Sequence, residues 1–405
     1  MNVLFVTWDG PQVSYLEGLF VPIFQALGKH GVRFHVLQFT WGDAATIEVR
    51  RKACTRAGLD YRVIPIWRTP RTAGSLLTVL KGAYDIRRAI KDFDIDLVMP
   101  RSTIPALATM RALRASSLPM VFDADGLPLD ERVDFAGESP SSFVYRLLRD
   151  VEAQAIRRAS KVLTRSETAV DVLLARAGAG TDRHKFHVVS NGRNATEFAT
   201  KDDDFRRDMR HKLGIAEDAP LLVYAGSMGM QYCFDEMLFL FSHIHERQPN
   251  ARLLVMTGSP EWVARQSRET YRGLAFATTI ISVPAVVVSG YLACADLGLA
   301  LRRPSFSMQG VAPIKLGEYL LCGLPVVATD GIGDTASIVT RDVGILIDKT
   351  ISPAQLVEAA NWFVDVVLPN RSDFRTRCRD AGVRYFSLEK TVGSYQKVFD
   401  SIAAL

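Results

Sequence analysis

The chain has 405 residues, of which 48% are hydrophobic and 23% charged, with a net charge of +5. That balance suits a folded chain with two domains, each large enough for its own core. The excess charge fits an anionic substrate or an anionic membrane surface, and it lacks the dense basic patch with aromatics that nucleic acid requires. Residues 3–7 form a short apolar run that ends in Trp8-Asp9-Gly10-Pro11, which reads as a strand and a turn. Residues 15–29 carry apolar side chains at helical spacing, and Gly31 stops them. Further strands are expected at 34–39, 97–99, 120–123, 161–164 and 187–189, with helices between them. The pattern then restarts with a strand at 221–225, a helix at 234–247, strands at 252–257 and 297–300, a helix at 315–322 and a strand at 325–328. The tail, 388–405, reads as a helix. Strands that alternate with helices imply right-handed crossovers and parallel sheets covered on both faces. The prediction is an α/β protein of two Rossmann-like units, each with its ligand edge at the carboxyl ends of its strands. The linker is expected near 194–201, and the charged stretch 200–210 reads as surface.

The five cysteines, Cys54, Cys233, Cys294, Cys322 and Cys378, form no C-x-x-C pair. They read as free, partly buried thiols in a reducing compartment, with no structural zinc site. The first residues lack the basic start and long apolar core of a signal peptide. The longest apolar run, 278–300, is broken by Pro284, Gly290 and Asp296, so it falls short of a membrane span. The expected location is therefore cytoplasmic.

The richest segment is Pro313-Ile-Lys315-Leu-Gly-Glu318-Tyr-Leu-Leu-Cys-Gly323-Leu-Pro325-Val-Val. Lys315 and Glu318 lie three apart on a helix and share a face. Both sit in its first turn, after the small-residue loop Gly310-Val311-Ala312, where the helix dipole favours an anion. Lys315 adds charge for a diphosphate, and the two oxygens of Glu318 suit vicinal ribose hydroxyls. The same pair on an exposed helix would be a solvated ion pair worth a few tenths of a kcal/mol. Gly226 and Ser227, after the strand at 221–225, let backbone approach a phosphate or simply turn the chain. In the first half, Asp123 and Asp125 end the strand at 120–123. Asp123 orients a ligand hydroxyl or caps a turn. Arg101 holds a phosphate or is a surface cation. The loop Asp9-Gly10-Pro11-Gln12 ends the first strand, where ligands are expected.

The segment K-x-x-E-Y-L-x-C-G-L-P-V-V resembles the donor-site signature of retaining glycosyltransferases of family four, whose GT-B fold has two Rossmann-like domains facing a central cleft. Leu163-Thr-Arg-Ser166, Val188-Val-Ser-Asn191-Gly192, Leu222-Val-Tyr-Ala-Gly226-Ser227, Tyr291-Leu-Ala-Cys-Ala-Asp296 and Phe386-Ser-Leu-Glu389 resemble the family in the same order. The resemblance implies an N-terminal acceptor domain over 1–194 with a returning helix at 387–405, and a donor domain over 195–386. It places the ribose on Glu318, the diphosphate against Gly226, Ser227 and Lys315, and the nucleobase against Val283. Donor contacts extend to Gly310, Val311 and Ala312. Gly10, Gln12, Arg101 and Asp125 take the acceptor side, with Arg101 on an acceptor phosphate. Asp123, on a sugar hydroxyl, and Lys315 are the catalytic candidates. Two features depart from the family. Gly310 stands where many members have a second glutamate for the donor sugar. The loop from Gly226 to Tyr232 carries no cation, so Lys315 with Arg302 or Arg303 must supply the charge. Phe122-Asp123-Ala-Asp125-Gly126 resembles the D-x-R-G of bacterial polysaccharide transferases, with Asp125 at the arginine position.

The implied reaction moves a hexose with retention from a nucleotide-diphosphate sugar, a UDP-sugar ahead of a GDP-sugar, to a glycan or lipid-linked acceptor in cell-surface polysaccharide biosynthesis. No cofactor or metal is expected; Asp123-Ala-Asp125 has the D-x-D spacing but sits in the half opposite the donor. The basic segments 68–88 and 145–165 put Leu76, Leu77, Val79, Leu80 and Tyr84 beside Lys81, Arg87 and Arg88, which suits either the inner face of the cell membrane or packing on the sheet. Two alternatives keep the fold: a non-catalytic nucleotide-sugar binder, favoured by Gly310, and a nucleotide-sugar 2-epimerase, whose acid–base residues are not identifiable. An NAD-dependent oxidoreductase would need a G-x-G-x-x-G that the first turn lacks.

Overall fold

The computed structural model describes residues 1–11, 14–67, 71–270 and 272–403. Gln12 and Arg68 lie outside these residues, as does the side chain of Leu76. The chain forms two compact units. One gathers residues 1–190, 309–311 and 391–405; the other holds 191–308 and 312–390.

In the first unit the strands are β1 (Asn2–Asp9), β2 (Arg33–Thr40), β3 (Asp60–Pro65), β4 (Leu97–Pro100), β5 (Val121–Asp123), β6 (Lys161–Thr164) and β7 (Phe186–Val188). They are all parallel, in the orders β3-β2-β1-β4 and β5-β6-β7. Parallel bridges Val98–Met120 and Arg101–Asp123 join the two sets edge to edge. The central run Val3–Val6 is fully buried, because helices cover both faces of a parallel sheet. The expected first helix begins as a π-helical turn, Leu16–Phe20, and becomes α-helical over Val21–Gly28. The final helix, Leu388–Ala403, returns to this unit and stacks Phe399 edge-on against Phe34 at 5.8 Å.

The second unit has the strands β8 (Leu221–Ala225), β9 (Arg252–Met256), β10 (Thr278–Ile281), β11 (Leu297–Ala300), β12 (Val326–Thr329) and β13 (Gly344–Ile347), ordered β10-β9-β8-β11-β12-β13 and all parallel. Sequence reading missed β3, β10 and β13. All three are outermost strands of their sheets. β3 and β10 are half-buried, so they lack the continuous apolar run of a central strand. The charged stretch 200–210 is surface only in part: it forms the helix Asp203–Lys212, whose Asp203, Asp204, Arg207 and Asp208 are exposed while Arg206 and Arg210 are buried. All five cysteines are buried and unpaired.

Candidate functional site

The carboxyl ends of β8 and β11 set the main cluster of the second unit. Lys315 stands on the helix Ile314–Leu321, which packs so closely that a Cβ at Gly317 would meet Phe386 at 2.7 Å. Gly323, at φ +76°, turns the chain after the helix toward β12. The Lys315 ammonium is half-buried and donates to the Tyr224 hydroxyl at 2.7 Å. It lies 4.0 and 4.3 Å from the ring centres of Tyr224 and Tyr232, close enough for cation–π attraction. No carboxylate comes within ion-pair distance of it among the described residues. A Cβ at Gly226 would sit 3.1 Å from its Nζ, so the ammonium occupies space that only glycine leaves open. Burial pushes Lys315 well below its ordinary value near 10.5, Arg302 adds to that, and Glu318 opposes it.

The cation missing from the loop after β8 comes from the end of β11. Arg302 donates to Gln231 Oε1 at 2.9 Å, and Arg303 donates to the Met230 carbonyl at 3.2 Å. Gly226 and Ser227 are exposed at this edge. The Gly226 N–H donates to Met256 O at 2.9 Å, so it is spent on the sheet; the Ser227 carbonyl accepts from Tyr224. What this turn offers a phosphate is close backbone approach at Gly226 and Ser227 rather than the Gly226 N–H.

Glu318 does not face water alone. Arg193 Nε donates to its Oε1 at 2.8 Å, and the carboxylate is only 13% exposed. Burial raises Glu318, against the pull of Arg193 and then Lys315. Asn191 donates to the Ala312 carbonyl at 3.0 Å and so fixes the entry to this helix. Val283 is half-buried against the same core. Val311 is half-buried. Gly310 is buried and groups with the first unit. A Cβ there would meet Leu127 N at 2.8 Å, and a Cβ at Gly126 would run into the Gly310 carbonyl oxygen. The two glycines are in backbone contact, which explains why no larger side chain stands at 310.

In the first unit, Gly10 follows β1, and its carbonyl accepts from buried Arg50 at 2.9 Å. A Cβ at Gly10 would strike Trp41 at 2.7 Å. Asp123 is 0% exposed. Its Oδ2 accepts from Arg165 at 2.7 Å and its Oδ1 from the Asp125 N–H at 3.1 Å. The expectation that Asp123 meets a sugar hydroxyl is thereby corrected: both oxygens are occupied and neither reaches solvent. Asp125 has φ +54°, a conformation side chains seldom adopt and one that recurs at functional sites. It is ion-paired with Arg101 and remains 30% exposed. Burial raises the Asp125 carboxyl while Arg101 and then Arg165 lower it. Arg101 is 6% exposed rather than a surface cation, and it lies 4.6 Å over the Phe20 ring. Its Nη1 and that of Arg165 are buried without hydrogen-bond partners. Each carboxylate of Asp123-Ala-Asp125 is thus ion-paired with an arginine.

Sequence reasoning did not single out Arg193, Tyr232, Arg50 or Arg165. Arg165 lay inside a quoted motif without a role. Arg193 gave no periodic signal, because its partner is 125 positions away.

Residues 23–197 match the family model described as Glycosyltransferase Family 4, and residues 219–365 match that described as Glycosyl transferases group 1. Among curated proteins none matches. Among solved structures, HepE of Anabaena in complex with UDP-glucose is 16% identical over the whole of both chains, with a TM-score of 0.71. Sucrose-phosphate synthase of Thermosynechococcus elongatus is 13% identical over 100% of this chain and 99% of its own, with a TM-score of 0.75. WaaG, a glycosyltransferase of lipopolysaccharide biosynthesis, is 19% identical over 96% of this chain and 98% of its own, with a TM-score of 0.66. At these identities the likeness establishes the fold, which is GT-B.

Proposed function

The chain belongs to the glycosyltransferases, a family 4 domain followed by a group 1 domain, and we propose that it transfers a hexose with retention from a UDP-sugar to a glycan or lipid-linked acceptor. The carrying observation is Lys315: a half-buried ammonium with no carboxylate partner among the described residues, set against a glycine at the carboxyl edge of a Rossmann-like sheet. A diphosphate supplies the missing charge. Arg302, at the end of β11, adds to it, and Glu318, oriented by Arg193, takes the ribose hydroxyls. The HepE complexes, which contain UDP, UDP-glucose, or UDP and glucose, support this class of donor.

In this reading the acceptor oxygen attacks the face from which the diphosphate leaves, and a leaving phosphate oxygen takes its proton. The protein contributes position and charge stabilisation rather than a nucleophile. Lys315 and Arg302 offset the growing leaving-group charge without a metal or a cofactor. Asp125, half-exposed and clasped by Arg101, replaces Asp123 as the acidic group at the acceptor strands; Asp123 and Arg165 position it.

No described helix is long and apolar enough to cross a membrane. The helix Arg71–Asp92 buries Val79, Ala83 and Ile86 yet leaves Leu77, Leu80 and Tyr84 exposed beside Lys81. That face supports resting on the cytoplasmic side of an anionic membrane, where lipid-linked acceptors lie. A non-catalytic binder is the second reading, because Gly310 leaves the donor sugar without the family's second glutamate. One assay separates the two. The chain is incubated with UDP-hexoses and a lipid-linked acceptor pool, with EDTA present, and the new anomeric centre is read by NMR. A product of the donor's own anomeric configuration supports retaining, metal-independent transfer. UDP binding with no product from any acceptor or from water supports the binder.

A further inference from the structure

The opposite edge of the second sheet holds a cluster that none of this chemistry uses. Asp296 precedes β11, and its Oδ2 accepts from the N–H of Leu221, the first residue of β8. It therefore marks the amino ends of the strands, while Lys315 and Gly226 mark the carboxyl ends. Five residues of β8 separate the two edges by about 16 Å.

Four arginines surround this one carboxylate, which is fully buried. Arg210 reaches Oδ2 at 2.7 Å, Arg206 reaches Oδ1 at 3.1 Å, and Arg371 Nε stands 3.6 Å from Oδ1. Two of them are fully employed. Arg206 Nη1 donates to the carbonyls of Ala293 and Ala295, and Arg210 donates to those of Cys294, Glu217 and Ala219. The other two, Arg371 and Arg375, lie four apart on the helix Arg371–Phe386 and share a face. Arg371 Nε is buried without a hydrogen-bond partner. Among the described residues, no hydrogen bond or ion pair reaches the Arg375 guanidinium. Its stem lies along Gly323, where a Cβ would meet Arg375 Cγ at 2.6 Å. Water loss holds Arg375 below its usual value; Asp296 and then Asp203 oppose this, while Arg210 and Arg371 add to it.

Both arginines line a hollow with Asp296, Gly323 and Pro325. It has room of about 10 Å³, the space of one oxygen-sized group, and opens to solvent. A tetrahedral anion at its mouth puts one oxygen inside and the others against two guanidiniums, which match phosphate geometry. Asp296 lines the hollow and is already met by Arg206 and Arg210, so Arg371 and Arg375 are the pair left to meet an added anion. We propose that Arg371 and Arg375 form a receptor for a phosphate group, free in solution or on a lipid headgroup, at the amino edge of the second sheet and separate from the donor residues.

The test uses the full chain and two probes. Inorganic phosphate is titrated against chloride at equal ionic strength while the melting midpoint is followed. Vesicles of phosphatidylcholine with and without phosphatidic acid are used for co-sedimentation. The proteins are wild type, R371Q, R375Q, the double R371Q/R375Q, the double R371K/R375K and K315A. The expected result is a phosphate-dependent rise in midpoint for wild type that persists in K315A. That rise weakens by about tenfold in apparent affinity in the double glutamine variant, as loss of a charged contact does, and survives in part in the lysine variant. Vesicle binding that needs phosphatidic acid and fails in the glutamine variants assigns the phosphate to a lipid headgroup; a response to inorganic phosphate alone assigns it to a soluble anion. If the double glutamine variant does not fold by circular dichroism, the single variants carry the comparison, since Arg371 is one-third exposed. The proposal is overturned if neither probe separates folded glutamine variants from wild type, or if K315A loses the phosphate response instead.

Discussion

At the scale of single residues, the chemistry rests on charges that the fold leaves unbalanced. Lys315 is held below its ordinary value near 10.5 by loss of water. Between that lowered value and 10.5 the unfolded chain binds more protons than the folded one, so this residue makes the free protein more stable as pH rises through that window. A bound diphosphate reverses the preference by favouring the ammonium. UDP affinity should therefore fall as pH rises through the lowered Lys315 value, and Lys315→Met should both weaken binding and flatten that dependence. Calorimetric titrations from neutral pH upward check this; a slope that survives in Lys315→Met assigns it to another group. The Arg193–Glu318 pair makes a second prediction. Arg193→Ala removes a charge-assisted hydrogen bond at a mostly buried carboxylate and should cost about 1.5–3 kcal/mol of UDP affinity. In the double variant with Glu318→Ala the losses should not add, because the residues act as one unit. Additive losses in that cycle would separate them.

At the scale of elements, legibility followed burial and sequence distance. Central strands such as β8 and β12 were readable because each is apolar along its length and fully buried. The outermost strands β3, β10 and β13 were not. Lys315 and Glu318 were readable because they share one short helix. Arg193 and Tyr224 reach the same cluster from other elements, and pattern within a window cannot show that. The charged stretch 200–210 misled for a similar reason: Arg206 and Arg210 are buried only because Asp296, far along the chain, meets them. Asp123 was placed correctly at a strand end, but its burial was set by Arg165, 42 positions later. The Gly126–Gly310 contact yields a prediction at this scale. Gly310→Ala sets a methyl 2.8 Å from Leu127 N and 3.0 Å from the Gly126 carbonyl carbon. It should cost roughly 1–3 kcal/mol in denaturant unfolding, as overpacking does. An unchanged midpoint would show that the backbone yields there at no cost.

At the scale of the whole molecule, the chain passes between its two units at 190–191, on either side of 309–311 and at 390–391. The last helix therefore completes the first unit, burying Val392, Tyr395, Val398 and Phe399. Phe399→Ala should destabilise that unit by about 3–5 kcal/mol, the usual cost of deleting a buried ring. Hydrogen exchange should report the loss in β1 and β2 and leave β8 and β9 protected; uniform loss in both sheets would contradict a unit-by-unit core. Lys315, Glu318, Arg193 and Arg302, the residues proposed to hold the nucleotide, all belong to the second unit. The most direct test of their role is a calorimetric titration of UDP into wild type, Lys315→Ala and Glu318→Ala. Saturable binding by wild type, weakened at least about tenfold in each variant, is the expected result. No binding by wild type, or equal affinity in all three proteins, would contradict a sugar-nucleotide site built on this ammonium and carboxylate.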